Sequence, residues 1–228
     1  MTDPRNNNYL KQLTSFYWEN GYTPEIIQLE RLATFAGLVA EKNEAINLIS
    51  RKDVESIIEN HVFISSLITK FIPERCTSFL DIGTGGGFPG IPVAIMRPEL
   101  RGVLVDSVKK KMDAVTEFID KLKLNNVKAE CTRVEDGEFI GKYENKFDLI
   151  VSRATVPLIV LLRYAFPLIK EKAVLLAIKG GDLADEIAKA QMKYSSYIKK
   201  STIYELHYKP TNIKNEKGKK AIMLEITK

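Results

Sequence analysis

The spacing of apolar residues changes character near residue 77. Before that point apolar side chains recur at three- and four-residue intervals, the mark of helices with one buried face. The pattern predicts a helix from Tyr9 to about Asn20 and a second after Thr23-Pro24-Glu25, with Thr23 as N-cap and Pro24 at the first helical position, where a missing N–H costs nothing. Ile26, Leu29, Leu32, Ala33, Ala36 and Val39 then share one face. A third helix, capped by Asp53, gathers Val54, Ile57, Ile58, His61, Ile64, Ser65, Ile68 and Phe71 on one side and stops at Pro73. No linker rich in Gly, Ser or Pro follows, so residues 1–75 read as a helical extension packed on what comes next, residues 76–228.

From Thr77 short apolar runs alternate with helical stretches, which argues for a parallel sheet wrapped by helices. The expected strands are Ser78 to Ile82, Gly102 to Val105, Val127 to Val134, Phe147 to Ser152 and Ala173 to Ile178. The expected helices are Pro89 to Met96, Lys109 to Lys123, Leu158 to Ile169 and Asp182 to about Tyr197. Thr202 to Tyr208 and Ala221 to Thr227 have no helix between them and should pair as an antiparallel hairpin.

Composition narrows the class. A 45% hydrophobic and 28% charged chain of 228 residues is of the soluble globular kind and long enough for one large core. No apolar run approaches the roughly 18 residues a membrane helix needs, and Met-Thr-Asp-Pro-Arg-Asn-Asn-Asn lacks the apolar segment of a secretion signal. Cys76 and Cys131 make no disulfide framework, so a reducing cytoplasm is expected; with only His61 and His207 beside them there is no zinc spacing, and no metal is expected. A net charge of +5 permits a polyanionic partner such as nucleic acid.

The chemistry concentrates between Phe79 and Gly90. Five of the 13 glycines (Gly83, Gly85, Gly86, Gly87, Gly90) fall within eight residues, directly after a strand that ends in Asp81-Ile82. Bare backbone there lets a ligand approach closely. In the register of a dinucleotide fingerprint the third glycine would be Phe88, and the match starting at Gly85 is late and contains Pro89. The alternative, Asp81-x-Gly83-x-Gly85-x-Gly87, suits S-adenosylmethionine, whose ammonium and sulfonium are favoured beside Asp81. Asp106, at the next strand end, is in reach of both ribose hydroxyls, and Arg133-Val134-Glu135-Asp136 ends the third strand where an adenine would rest.

The acceptor is constrained by what is missing. Amine methylation usually goes with an Asn/Asp-Pro-Pro-aromatic motif, where this chain has Ser152-Arg153-Ala154-Thr155, and neither cysteine follows a proline as a cytosine-directed nucleophile would. An acceptor with its own lone pair, such as guanine N7, needs no proton removed. Arg153 and Lys179, at the fourth and fifth strand ends, are expected to position it, with stacking on Phe88. His61 reads as a packed core histidine or a substrate contact, and Lys109-Lys110-Lys111 and the lysines at 209, 214, 217, 219 and 220 as solvated runs or phosphate contacts.

The chain resembles the RsmG (GidB) family through Asn47-Leu48-Ile49-Ser50-Arg51, His61, the run from Leu80 to Pro92 with its Gly-Phe-Pro-Gly-Ile-Pro, Val105-Asp106-Ser107 with Lys110-Lys111, Arg133-Val134-Glu135, Val151-Ser152-Arg153-Ala154 and Lys179-Gly180. The resemblance, from about Glu41 to Ala190, implies an α/β fold: a Rossmann-like class I methyltransferase, a seven-stranded mostly parallel sheet with a C-terminal antiparallel hairpin and an N-terminal helical extension. It implies a cytoplasmic enzyme that methylates N7 of one guanine in the decoding-region loop of 16S rRNA, in the free RNA or the small ribosomal subunit, using S-adenosylmethionine. Gly83, Phe88, Val134, Glu135 and Arg153 fall where the family contacts the cofactor; Asp81, Thr84, Gly85, Gly87 and Asp106 complete the expected cofactor set, and Arg153 and Lys179 the expected catalytic pair. A monomer is expected. The family often carries an acid three residues after the histidine, where this chain has Ile64. A methyltransferase for another substrate, or an RNA-binding assembly factor, is the competing reading.

Overall fold

The apolar strands pair as their spacing demands. In the computed structural model, which describes residues 4–153, 155–209 and 218–228, β1 (Ser78–Ile82), β2 (Arg101–Asp106), β3 (Val127–Cys131), β4 (Phe147–Arg153) and β5 (Ile169–Gly180) run parallel. β7 (Lys219–Thr227) joins β5 antiparallel and β6 (Ile198–Glu205) closes the edge, in the order β3-β2-β1-β4-β5-β7-β6. The order reverses between β1 and β4. Open α/β sheets bind ligands at such a point, beyond the carboxyl ends of the strands.

Alternate residues of each strand feed two cores. Phe79, Leu104, Leu149, Val151, Val174 and Leu176 face α1 (Pro4–Glu19), α2 (Ile26–Lys42), α4 (Gly90–Met96) and α5 (Lys109–Lys121). Leu80, Val103, Val105, Ile150, Leu175 and Ile222 face α6 (Gly137–Tyr143), α7 (Leu158–Ala165) and α8 (Ala184–Tyr194). The amino-terminal helices therefore form part of one covering layer: Leu13, Leu32 and Phe35 are buried in the same cluster as Phe79.

Several boundaries differ from expectation, each for a local reason. Helix α2 is capped by Glu25 rather than Thr23, because Gln28 Oε1 accepts from Glu25 N–H at 2.9 Å in a capping box. The expected third helix is broken into a 3₁₀ turn (Arg51–Asp53), a widened π-helical turn (Ile58–Phe63) and the short α3 (Ile64–Leu67), followed by a second 3₁₀ turn. In the widened turn Ile58, Glu59, His61, Val62 and Phe63 are all buried, too many for one face of a 3.6-residue helix. Helix α6 was not anticipated; seven residues are too few to show a period, and its start is fixed by Asp136, which accepts from Glu138 N–H (2.9 Å) and Phe139 N–H (3.3 Å). Strand β5 begins earlier than the apolar run because its charged first residues still pair through their backbone, Lys172 opposite Thr227. Lys214 and Lys217 lie outside the described residues.

Gly102 lies where β2 passes closely between side chains of its neighbouring strands β1 and β3. A methyl group there would overlap the buried Phe79 ring and press on Val127. Gly102→Ala should destabilise the fold by about 1–3 kcal/mol, read as a lower urea midpoint with an unchanged m-value.

Candidate active site

The carboxyl ends of β1 to β4 open on a cavity of about 230 Å³. Gly83, Asp106, Val134 and Glu135 line it, as do Ser107, Thr132, Thr155, Val156 and Tyr164. Its lining is apolar at Ile82, Val105 and Val134 and carries two carboxylates and the Arg133 guanidinium, so it suits a flat ring against the apolar part and hydroxyls or a cation at the carboxylates. The lining from α7, Tyr164, has no mark in the sequence beyond its helical position.

The glycines do two different jobs. Gly83 (φ +73°) and Gly85 (φ +57°) take left-handed backbone that other residues rarely adopt. A side chain on Gly83 would strike the Thr155 methyl, and one on Gly86 would crowd Leu48. Only open space meets a Cβ on Gly85, so it is the left-handed backbone and not crowding that calls for glycine there. The loop is held by its neighbours: Gly83 N–H and Thr84 N–H donate to Val105 O (2.9 and 3.1 Å), and Gly85 N–H donates to Asp106 Oδ2 (3.0 Å) while Val108 N–H donates to Asp106 Oδ1 (3.0 Å). Each Asp106 oxygen retains a lone pair.

Asp81 is arranged otherwise than its charge led us to expect. Strand alternation turns it to the helix layer, where it is fully buried and Oδ2 accepts from Gly90 N–H at 2.8 Å, capping α4. Burial raises its pKa to about 7, against the Thr84 hydroxyl and the Gly90 N–H, which favour the anion. The Thr84 hydroxyl is buried with it. Neither residue lines the cavity, and neither does Gly85, Gly87 or Phe88.

Phe88 and Arg153 form a second centre behind the loop, against the amino-terminal layer. The Phe88 ring lies 4.9 Å from Phe35 and 5.3 Å from His61, with the Arg153 guanidinium 5.6 Å over it, so its faces are occupied by the protein rather than open to a stacked base. Arg153 donates to His61 Nδ1 (2.8 Å) and Ser65 Oγ (3.3 Å). His61 Nδ1 must then accept, and the imidazole proton sits on Nε2, 3.4 Å from Asp53 Oδ2. The carboxylate that Ile64 fails to supply comes instead from the 3₁₀ turn, a contact that no helical spacing anticipates. Burial, then Arg153 and Lys219, push the His61 pKa down to about 2, and burial lowers Arg153 to about 10.

Lys179 stands apart from both centres. It donates to Val156 O (2.8 Å) and is paired with Glu186, which also accepts from Leu158 N–H, so it braces the turn that walls the cavity. It opens on a neighbouring hollow with Pro157, Gly180 and Leu183.

Because His61 is neutral in the fold and titrates near its ordinary value when unfolded, it contributes stability above about pH 6.5 that is lost as pH falls from there towards 2. His61→Gln should flatten the acid limb by up to about 1.4 kcal/mol per pH unit, measured as urea midpoints between pH 7 and 4; an unchanged limb would mean that His61 is not held neutral.

The likeness to known proteins follows this geometry. The family model GidB, rRNA small subunit methyltransferase G, matches residues 28–214. Ribosomal RNA small subunit methyltransferase G of Pelodictyon phaeoclathratiforme is 38% identical over 187 residues, covering 82% of this chain and 80% of that protein. The protein of the same name from Flavobacterium johnsoniae is 40% identical over 175 residues, 73% of this chain and 81% of the relative. Among solved structures, the O-methyltransferase from Bacillus cereus in complex with SAH has a TM-score of 0.63 at 15% identity, covering 98% of this chain and 100% of that one. TYW2 of M. jannaschii in complex with AdoMet reaches 0.56 at 14% identity over 75% and 77% of the two chains. At those identities the shared property is the fold, a class I methyltransferase sheet. The sequence match is the stronger finding, and by it the chain belongs to the rRNA small subunit methyltransferase G family.

Proposed function

We propose that the protein transfers a methyl group from S-adenosylmethionine to N7 of one guanine in the decoding-region loop of 16S rRNA, acting in the cytoplasm as a monomer. The observation that carries the reading is the coincidence of the family match with a cavity at the β1/β4 reversal lined by Gly83, Asp106, Val134 and Glu135. Among the described residues no helix is long and apolar enough to cross a membrane and no group of side chains could hold a metal.

The residues fit the donor. The apolar lining and the carboxylates of Asp106 and Glu135 suit a cationic nucleoside with hydroxyls to donate. Asp106 would accept from the ribose, and Val134 and Glu135 would bound the adenine. Bound S-adenosylmethionine supplies a methyl group already activated on sulfonium, so alignment is the main demand on the protein. A guanine N7 brings its own lone pair. Consistent with that economy, His61 stays unprotonated near neutral pH, and its Nδ1 lone pair is taken by Arg153, which leaves it neither acid nor base. Arg153 holds its position through neutral partners and keeps its charge for an approaching base or phosphate. Lys179 acts through the turn at 155–158.

Purified protein with labelled donor should methylate small ribosomal subunits or their RNA, with 7-methylguanine identified by mass spectrometry; label found only on small molecules would defeat the proposal. Asp106→Ala, which deletes a charged acceptor, should weaken S-adenosylhomocysteine binding by about tenfold to a hundredfold, measured by titration calorimetry.

A further inference from the structure

Two cations meet at the seam between the amino-terminal layer and the sheet, and neither is bonded to a carboxylate among the described residues. Arg153, ending β4, donates to His61 Nδ1, Ser65 Oγ and, at 3.5 Å, His61 O. Lys219, opening β7, donates to Asn60 O (3.2 Å) and Asn60 Oδ1 (3.1 Å). Residues 60 and 61 of the widened turn are thus clasped by charges from two strands, and every acceptor is neutral.

The nearby acids act on the two cations only through space: Asp53 and Asp81 favour the charged form of Arg153, and Glu59 and Asp53 that of Lys219. Asp53 faces His61 Nε2, Glu59 accepts from the Tyr208 hydroxyl at 3.0 Å, and Asp81 caps α4. Burial, then the charge of Arg153, bring Lys219 down to about 8 against the opposing pull of Glu59 and Asp53, so the two cations repel across the seam. Other lysines that reach into the surface have counterions: Lys179 with Glu186, Lys170 with Asp148 at 2.8 Å, Lys42 with Glu117. Half-buried charges whose bonded partners are all neutral raise the free energy of the fold, and an anion bonded to both of them lowers it.

We propose that Arg153 and Lys219 together form a seat for one oxyanion, a backbone phosphate of the substrate RNA, with Lys219 as a substrate-binding residue. The inference rests on the reading of rRNA as substrate. Neither side chain lines the cavity assigned to the methyl donor, which puts the seat on the substrate side. The donor's own carboxylate has the same chemistry and is the alternative source that the experiment separates.

Lys219→Gln keeps an N–H donor for Asn60 and removes only the charge; Lys219→Arg keeps both. With small ribosomal subunits as methyl acceptor, Lys219→Gln should raise KM at least tenfold, more than it lowers kcat, and make the dependence of log KM on log salt shallower by about one. S-adenosylhomocysteine affinity should stay within twofold, and Lys219→Arg should recover most of the loss. An unchanged KM and salt slope in Lys219→Gln overturns the seat, and so does a loss confined to S-adenosylhomocysteine binding, which would assign the anion to the donor. Wild-type protein that leaves the subunit guanine unmethylated overturns the substrate reading and the seat with it, whereas a methylating wild type with an unaffected Lys219→Gln overturns the seat alone.

Discussion

A guanidinium drawn out of bulk water must find acceptors, and the seam of this molecule is built around that requirement. Arg153 reaches from the end of β4 into the amino-terminal layer and takes its hydrogen bonds from His61 and Ser65, with Phe88 beneath it. The consequences spread outward. His61 is obliged to present a lone pair, so it is neutral and its proton points to Asp53. The widened turn that delivers His61 also buries Glu59 and presents Asn60 to Lys219. One charged side chain thus links the loop of glycines, the amino-terminal helices and the last strand.

The glycine loop answers to two constraints at once. Packing explains Gly83 and Gly86, where a side chain would collide with Thr155 or Leu48; left-handed backbone explains Gly85, where it would collide with nothing. Leu48 reaches the loop because Asn43 Oδ1 accepts from the N–H groups of Leu48 (2.8 Å) and Ile49 (3.0 Å). The amino-terminal layer is therefore part of the wall that shapes the site. This division matters for reading such motifs: a dense run of glycines records close neighbours as much as it records a ligand.

The electrostatics separate the two sides of the site. Around the donor cavity the charged groups are two carboxylates, Asp106 and Glu135, and one cation, Arg133, a balance that favours a cation. Across the loop Arg153 and Lys219 are bonded only to neutral acceptors among the described residues, a setting for an anion. On the proposed assignment a positive methyl donor and a polyanionic acceptor would each meet the opposite charge, with the backbone between Gly83 and Phe88 as the boundary. Alignment across that boundary, with no proton to move, is a task that so sparse a set of titratable groups can perform.

Much of this was legible before any coordinates. The strand and helix alternation, the hairpin and the reversal that locates the cavity are local or nearly local properties, since period and turn chemistry are written in neighbouring residues. Gly83, Asp106, Val134 and Glu135 line the cavity because strand ends in a parallel sheet converge by topology. What the tertiary structure alone decided is where side chains from distant segments meet. It turned Asp81 into a buried cap, covered the Phe88 ring with Phe35 and His61, paired Lys179 with Glu186, supplied Asp53 where Ile64 left a gap, and brought Lys219 to Arg153 across the sheet. Those contacts bring together residues that no periodicity connects, because which face a strand residue takes and which partner it finds there are settled by packing and desolvation over the whole fold.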